Sequence, residues 1–416
     1  MDLACIADDL TGATDLGVNL VREGRSVIQL NGLPAAGTAL PPADVVIVAL
    51  KSRTIPAAEA VAMSLAAHGL LARAGARRFY FKYCSTFDST ARGNIGPVTE
   101  ALQAVTGAGC TPATPAYPRN GRTVYYGHLF VQGVPLAETG MRHHPLTPMT
   151  DSSLVRVLAS QSRGKVGLVD TVTLDAGVAA VQSRLAALAR DGHAHAIVDA
   201  IDDRHIGVAG EAFAALPLTT GGAGLAVGIV RALPRQAQGA VAYARPSAAV
   251  RAAWLAGSVS EATQRQVAEV KDSVPSFRLD ARVLAREVGA AAEVAHDAVR
   301  ASRNGPVLVY ATAAHAEVAA VQAELGAEHS AKLIEDAFRV VARALADDGV
   351  RAFVVAGGET SGAVVESLDA RALAIGPEIA PGVPWTRSVA GRDVWLALKS
   401  GNFGGEGFFR RALEAL

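Results

Sequence analysis

The sequence predicts a layered α/β protein of two domains, each a mainly parallel sheet flanked by helices, and three observations carry that prediction. Short β-branched or aromatic runs alternate with Ala/Leu-rich stretches of helical period along the whole chain. At 416 residues the chain is longer than one hydrophobic core usually serves. Hydrophobic residues make up 50% and charged residues 19%, a balance that supplies ample core and excludes a disordered chain.

In the first half, strands are expected at 3–7, 26–30, 44–50, 78–82, 165–169 and 194–199, with helices between them. One such helix, 59–72, presents Val61, Leu65 and Leu71 and follows Pro56, which suits a helix start. Between 233 and 250 the alternation lapses into Pro-Arg-Gln-Ala-Gln-Gly and Ala-Arg-Pro-Ser, the composition of a linker. A domain boundary is therefore expected near 235–247, giving domains 1–235 and 247–416. Strands resume at 252–256, 306–311, 352–356, 372–375 and 394–398.

Open parallel sheets bind ligands outside the carboxyl ends of their strands. That rule selects the loops at Asp8/Asp9, Ser52/Arg53 and Lys82 to Gly96 in the first domain. In the second it selects Gly257/Ser258, the loop 311–315, Gly357 to Gly362 and Lys399 to Gly405. Two sets of polar loops imply an enzyme with two ligands, its active site expected in the cleft between the domains.

Lys plus Arg and Asp plus Glu both number 39, so no global field draws nucleic acid or an acidic membrane. Any anion must be held by local charge. Cys5, Cys84 and Cys110 cannot all pair and show no metal-ligand spacing, which fits buried thiols in a reducing compartment. The first strand runs straight into an acidic loop without a signal-peptide pattern, and no uncharged run reaches the length of a membrane span. A cytoplasmic location is expected.

The loop Lys82-Tyr83-Cys84-Ser85-Thr86-Phe87-Asp88-Ser89-Thr90-Ala91-Arg92-Gly93-Asn94-Ile95-Gly96 concentrates two cations, a carboxylate and several hydroxyls directly after an apolar strand. A small polar anion needs such a loop. Asn94 can read a hydroxyl, and Gly93 and Gly96 can let backbone N–H groups approach a ligand. Arg53 follows an aliphatic strand and can pair bidentately with a carboxylate. Asp8 and Asp9, at the end of the first strand, can hold polyol hydroxyls, accept a proton or bind magnesium. One of them, Asp8 sooner than Asp9, can instead simply cap the next helix. His128, in Arg122-Thr123-Val124-Tyr125-Tyr126-Gly127-His128, can polarise a substrate oxygen or sit as a hydrogen-bonded structural residue.

The second half has no Gly-x-x-x-x-Gly-Lys motif, and Gly222-Ala223-Gly224-Leu225-Ala226-Val227-Gly228 is out of register for a dinucleotide fingerprint. This disfavours an NAD-dependent dehydrogenase. Gly357-Gly358-Glu359-Thr360-Ser361-Gly362 instead passes from a strand into an apolar helix, as backbone cradles for phosphate do. Lys399-Ser400-Gly401-Asn402-Phe403-Gly404-Gly405 repeats the arrangement after the last strand.

Taken together these motifs resemble the four-carbon acid sugar kinase family over essentially the whole chain. The resemblance runs through Ala7-Asp8-Asp9-Leu10-Thr11-Gly12-Ala13, the Asp88 to Gly96 loop, Gly121-Arg122-Thr123, Gly357-Gly358-Glu359-Thr360 and Ser400-Gly401-Asn402-Phe403-Gly404. Leu50-Lys51-Ser52-Arg53-Thr54, the Lys82 to Thr90 segment and Met141-Arg142-His143-His144-Pro145 resemble its 3-oxo-tetronate 4-kinase branch. The resemblance implies a substrate domain followed by an ATP domain, with ATP contacts at Ser258, Gly357, Gly358, Glu359, Thr360 and Gly401. It also implies transfer of phosphate from ATP, with Mg2+, to the C4 hydroxyl of 3-oxo-tetronate in four-carbon acid sugar catabolism. On that footing Arg53, Lys82 and Arg92 are expected to hold the substrate carboxylate and the transferring charge. Asp8 or Asp9 orients the hydroxyl, Asp88 is the expected base, with Asp9 next, and Asn94 and His128 are further substrate contacts. Metal ligands stay unassigned and a homodimer stays open. D-threonate or D-erythronate kinase activity, and a non-catalytic sugar-acid and nucleotide sensor, are the alternatives.

Overall fold

A computed structural model describes residues 1–35, 37–144, 146–234, 241 and 243–416. It divides into two compact units, Met1–Val241 and Ala242–Leu416. Of the expected linker, residues 235–240 and 242 lie outside the described residues.

The first unit contains β1 (Leu3–Ala7), β2 (Val27–Asn31), β3 (Val45–Ala49), β4 (Phe79–Lys82), β5 (Thr111–Thr114), β6 (Arg122–Tyr125), β7 (His128–Val131), β8 (Val134–Pro135), β9 (Lys165–Val169), β10 (His193–Val198) and β11 (Leu218–Gly221). Its main sheet runs β2-β3-β1-β4-β11-β5-β10-β9, and the pairs along it are parallel. Both faces are covered by helices, so central strands such as Val-Val-Ile-Val-Ala in β3 are continuous buried runs without alternation. Strands β6, β7 and β8 form a separate antiparallel sheet.

Parallel alignment brings the carboxyl ends of β1, β3 and β4 to one edge of the sheet. Ala7 lies opposite Ala49 on one side and Lys82 on the other, so the loops opening at Asp8, Leu50 and Tyr83 leave the sheet side by side. The helix Leu10–Arg22 starts from the first loop, and the helix Ile95–Thr106 starts after the third.

The second unit holds β12 (Ala252–Ala256), β13 (Ser276–Arg278), β14 (Val307–Tyr310), β15 (Ala352–Ala356), β16 (Ala372–Ala380), β17 (Val383–Ala390) and β18 (Trp395–Lys399). Their order is β13-β14-β12-β15-β18-β17-β16. The first five are parallel, while β17 pairs antiparallel with both β18 and β16. Leu255, Val309, Phe338, Val341, Phe353 and Leu396 belong to the core on one face, and Trp254, Trp385, Phe408 and Phe409 to that on the other. Here Ala256, Ala356 and Lys399 end in register, which places the loops at Gly257, Gly357 and Ser400 together.

Candidate active site

In the first unit the cluster is built around Arg53. Its Nε and Nη2 donate to the two carboxylate oxygens of Asp8, each at 2.8 Å, and Nη2 also donates to Asp9 Oδ1 at 2.7 Å. Its Nη1 lies 3.5 Å from Asp88 Oδ2. One guanidinium thus ties together three carboxylates from two different loops. Asn94 fixes this geometry from behind: its Nδ2 donates to the carbonyls of Ser52, Arg53 and Ile55 at 2.6, 3.2 and 3.0 Å.

Asp9 is also the N-cap of the helix Leu10–Arg22, accepting from the Gly12 N–H at 3.0 Å and from Thr11 Oγ1 at 2.6 Å. The capping role thus falls to Asp9 rather than to Asp8, because the chain turns into the helix one residue later. Burial raises the pKa of Asp9, but Arg53, Lys82 and the Thr11 and Gly12 hydrogen bonds outweigh it and hold it below the usual carboxylate range. For Asp8 burial dominates and the shift is upward, with Arg53 pulling against it. Burial would lower Arg53, yet Asp8 and Asp9 drive it further above its ordinary value.

Lys82 is 2% exposed at the end of β4, where its ammonium donates to the Tyr83 carbonyl at 2.9 Å. Among the described residues no carboxylate pairs with it within 4.0 Å, although its charge pulls on Asp8, Asp9 and Asp15. Two of its donors are left for a ligand.

Asp88 and Phe87 have φ of 48° and 63°, the left-handed region that Asp tolerates and Phe rarely enters. Phe87 is held there by burial and by edge-on packing against Tyr83, with ring centroids 5.4 Å apart. Two consecutive residues in this conformation store on the order of 1–3 kcal/mol each and turn Asp88 toward Arg53. Its Oδ1 accepts a short hydrogen bond from Thr147, whose hydroxyl lies 2.8 Å from His144 Nδ1.

The remaining expected residues are placed differently. Arg92 is exposed, and its side chain has no hydrogen bond or ion pair among the described residues. His128 lies on β7 with Nδ1 2.9 Å from the Tyr126 carbonyl and no contact to the Arg53 cluster. Gly93 and Gly96 serve packing rather than a ligand. A Cβ would meet Ser89 Oγ at 1.8 Å from Gly93, and the Gln161 carbonyl at 2.8 Å from Gly96. Pro145 of the His143-His144-Pro145 motif lies outside the described residues.

Three residues escaped the residue-by-residue reading: Thr147, Asp15 and Asp199. Thr147 carries no pattern of its own and merely follows the His143-His144-Pro145 motif. Asp15 lies half-buried one turn into the first helix, raised by burial against the pull of Lys82. Asp199, at the end of β10, accepts the N–H groups of Tyr126, Gly127 and Thr171 at 2.7, 2.8 and 3.2 Å. Burial outweighs those bonds and raises its carboxyl to about 6. It anchors the turn between β6 and β7 and so sets where His128 sits.

In the second unit, the expected loop residues pack directly on one another. A Cβ on Gly401 would meet Ser258 Oγ at 2.2 Å, and one on Gly257 would meet Thr360 Oγ1 at 2.1 Å. Gly357 has φ 127° and precedes the helix Gly358–Ser367, whose N-terminus has no side-chain cap among the described residues and so presents N–H groups to an anion. The Ser361 hydroxyl in that first turn is buried without a hydrogen-bond partner among the described residues. Glu359 is exposed there. Backbone, hydroxyls and a helix start converge as a polyphosphate cradle requires.

The fold and these two loop clusters define a protein of the type that pairs a sugar-binding unit with a nucleotide-binding unit. A family model described as a sugar-binding N-terminal domain matches residues 3–229, and one described as a nucleotide-binding C-terminal domain matches 253–409. The chain belongs to this family, the four-carbon acid sugar kinases. It is 51% identical to a 3-oxo-tetronate kinase of Burkholderia multivorans, over 100% of this chain and 97% of that one. A 3-oxo-tetronate kinase of Cupriavidus necator is 52% identical over the same shares. A crystal structure of a Salmonella typhimurium protein described as a tRNA synthase matches with TM-score 0.87 and 43% identity, over 99% of each chain. A Haemophilus influenzae protein matches with TM-score 0.83 and 39% identity over the same shares.

Proposed function

We propose that this protein is an ATP-dependent kinase that phosphorylates the C4 hydroxyl of 3-oxo-tetronate. Full-length identity near one half to 3-oxo-tetronate kinases supports the substrate. The observation that carries the chemistry is the Arg53 cluster. It gathers Asp8, Asp9 and Asp88 at the sheet edge beside a buried ammonium with uncommitted donors.

Lys82 and the Nη1 of Arg53, which makes only the longer 3.5 Å contact to Asp88, receive the substrate carboxylate, since Nε and Nη2 are committed to Asp8 and Asp9. Asp9, kept ionised, orients a substrate hydroxyl. Asp88, strained into position and steadied by Thr147, takes the proton from the C4 oxygen as that oxygen attacks the γ-phosphorus of ATP. The bond from the γ-phosphorus to the bridging oxygen breaks, and ADP leaves. Ser258, Gly357, Gly358, Thr360 and Gly401 hold the phosphates through backbone and hydroxyl groups.

Among the described residues no cluster of three or more His, Cys, Asp or Glu is arranged to hold a metal. That fits magnesium, which is typically held by substrate phosphates with one or two carboxylates rather than by a protein cage. Glu359, exposed at the cradle, is the carboxylate available to it, and the ion would neutralise phosphate charge. No helix among the described residues is long and apolar enough to cross a membrane, in keeping with a cytoplasmic enzyme. A homodimer is consistent with this reading but nothing in it depends on one.

The test is ADP release with magnesium-ATP on 3-oxo-tetronate generated in situ, beside D-threonate and D-erythronate. Turnover on the oxo acid alone is expected. Turnover only on a reduced acid moves the substrate, and no turnover on any acid replaces the kinase with a sensor.

A further inference from the structure

Lys399, the last residue of β18, is fully buried, at 0% exposure. Its ammonium donates to Thr263 Oγ1 at 2.9 Å, to the Gly401 carbonyl at 3.0 Å and to the Ser400 carbonyl at 3.3 Å. All three N–H groups are satisfied, yet by neutral acceptors. The ring of Phe408, 5.9 Å away, closes the other side. A buried charge ordinarily has an opposite charge beside it, and among the described residues no carboxylate lies within 4.0 Å of this one. The charged residues on the elements packed around it are Glu261, Arg265 and Glu269, then Glu359 and Glu366, then Glu406, Arg410, Arg411 and Glu414. Every one of these is exposed to solvent and none contacts Lys399.

The cation lies directly beneath the loops read above as the nucleotide site. Its own carbonyl accepts the N–H of Gly357 at 2.9 Å, and Thr263 Oγ1 also donates to the Gly401 carbonyl at 2.9 Å. We infer that Lys399 is a positioning residue of that site: it shapes the Ser400-Gly401 turn, and the polyphosphate of the bound nucleotide supplies its missing counter-charge. The inference rests on the nucleotide reading of these loops and names the residue beneath them that makes the cradle selective for a polyanion.

A consequence in pH follows. Burial with no charged neighbour lowers the ammonium to about 8 in the free protein. Phosphate charge overhead favours the protonated form, so binding takes up a proton, and nucleotide affinity falls as pH rises above about 8. The ATP phosphates titrate well below that range and stay ionised across it, so they do not contribute.

The experiment is calorimetric titration of the full-length protein with magnesium-ATP near pH 8.5, in two buffers of different ionisation enthalpy, with adenosine as the uncharged comparison. Uptake of roughly half a proton or more with ATP, and none with adenosine, is expected. Lys399→Met should weaken ATP binding about tenfold or more, leave adenosine binding unchanged and abolish the uptake. The wild-type measurement stands even where that variant does not fold. ATP binding without proton uptake overturns the role of Lys399 and leaves the nucleotide site intact. Failure of the wild-type protein to bind ATP at all overturns the nucleotide reading itself.

Discussion

Asp88 shows how much one residue's role depends on groups far away in sequence. Its left-handed backbone, the Arg53 Nη1 edge and the Thr147 hydroxyl, 59 residues on, together aim one carboxylate. Asp88→Asn keeps the size and the Thr147 contact but removes the proposed base, so kcat should fall about 100-fold or more while ATP and sugar-acid affinities hold. A rate above about a tenth of wild type would falsify that assignment. Asp8, Asp9, Arg53 and Asp88 were legible because each ends or follows an apolar strand in a polar loop. Thr147 was not, since an isolated threonine carries no local signal of the carboxylate it meets. Arg92 and Asn94 sit in the same loop, yet the Arg92 side chain is exposed and the Asn94 amide donates to the Ser52, Arg53 and Ile55 carbonyls of the neighbouring loop, placements that a residue's chemical type alone does not announce.

At the scale of elements, the buried strands were readable as unbroken apolar runs, and β1, β9, β12 and β15 begin and end where expected. Strands β5 and β11 were not, because Thr-Pro-Ala-Thr and Leu-Thr-Thr-Gly have the composition of turns and become strands only between paired neighbours. The antiparallel β17 was hidden for a similar reason, with Pro384 and Arg387 interrupting its pattern. The loops that end β12 and β18 are held so closely that side-chain volume controls them. A methyl on Gly401 would collide with Ser258 Oγ at 2.2 Å and crowd Ser260 Oγ at 2.9 Å, so Gly401→Ala displaces these hydroxyls or the Ser400-Gly401 turn. The expected outcome is a KM for ATP raised about tenfold or more with the KM for the sugar acid unchanged. Initial-rate kinetics varying each substrate in turn checks it, and equal effects on both would instead indicate general unfolding.

For the whole molecule, equal numbers of cationic and anionic residues, 39 each, leave no long-range field, and the sequence pI is about 7.2. On the proposed reading both ligands are anions met by a few local cations, Lys82, Arg53 and Lys399, and Lys82 and Lys399 are almost fully buried. Buried charge is weakly screened by salt. Substrate KM values should therefore change less than about threefold between low and physiological ionic strength, where an enzyme that steers its substrate by net charge would change far more. Initial rates across a salt series decide this.

The sequence by itself determined the fold class, the two-domain plan and which strand ends carry polar loops. Those features follow from hydrophobic period and from the rule that parallel strands open toward ligands at their carboxyl ends. Tertiary structure alone decided which polar side chains face one another. It made Asp9 the helix cap, committed Arg53 to three carboxylates, brought Thr147 to Asp88 and buried Lys399 without an opposite charge. Hydrophobic patterning is a local property that sequence displays, whereas the partner of a charge is set by strand register and by loops that meet only when the chain is folded.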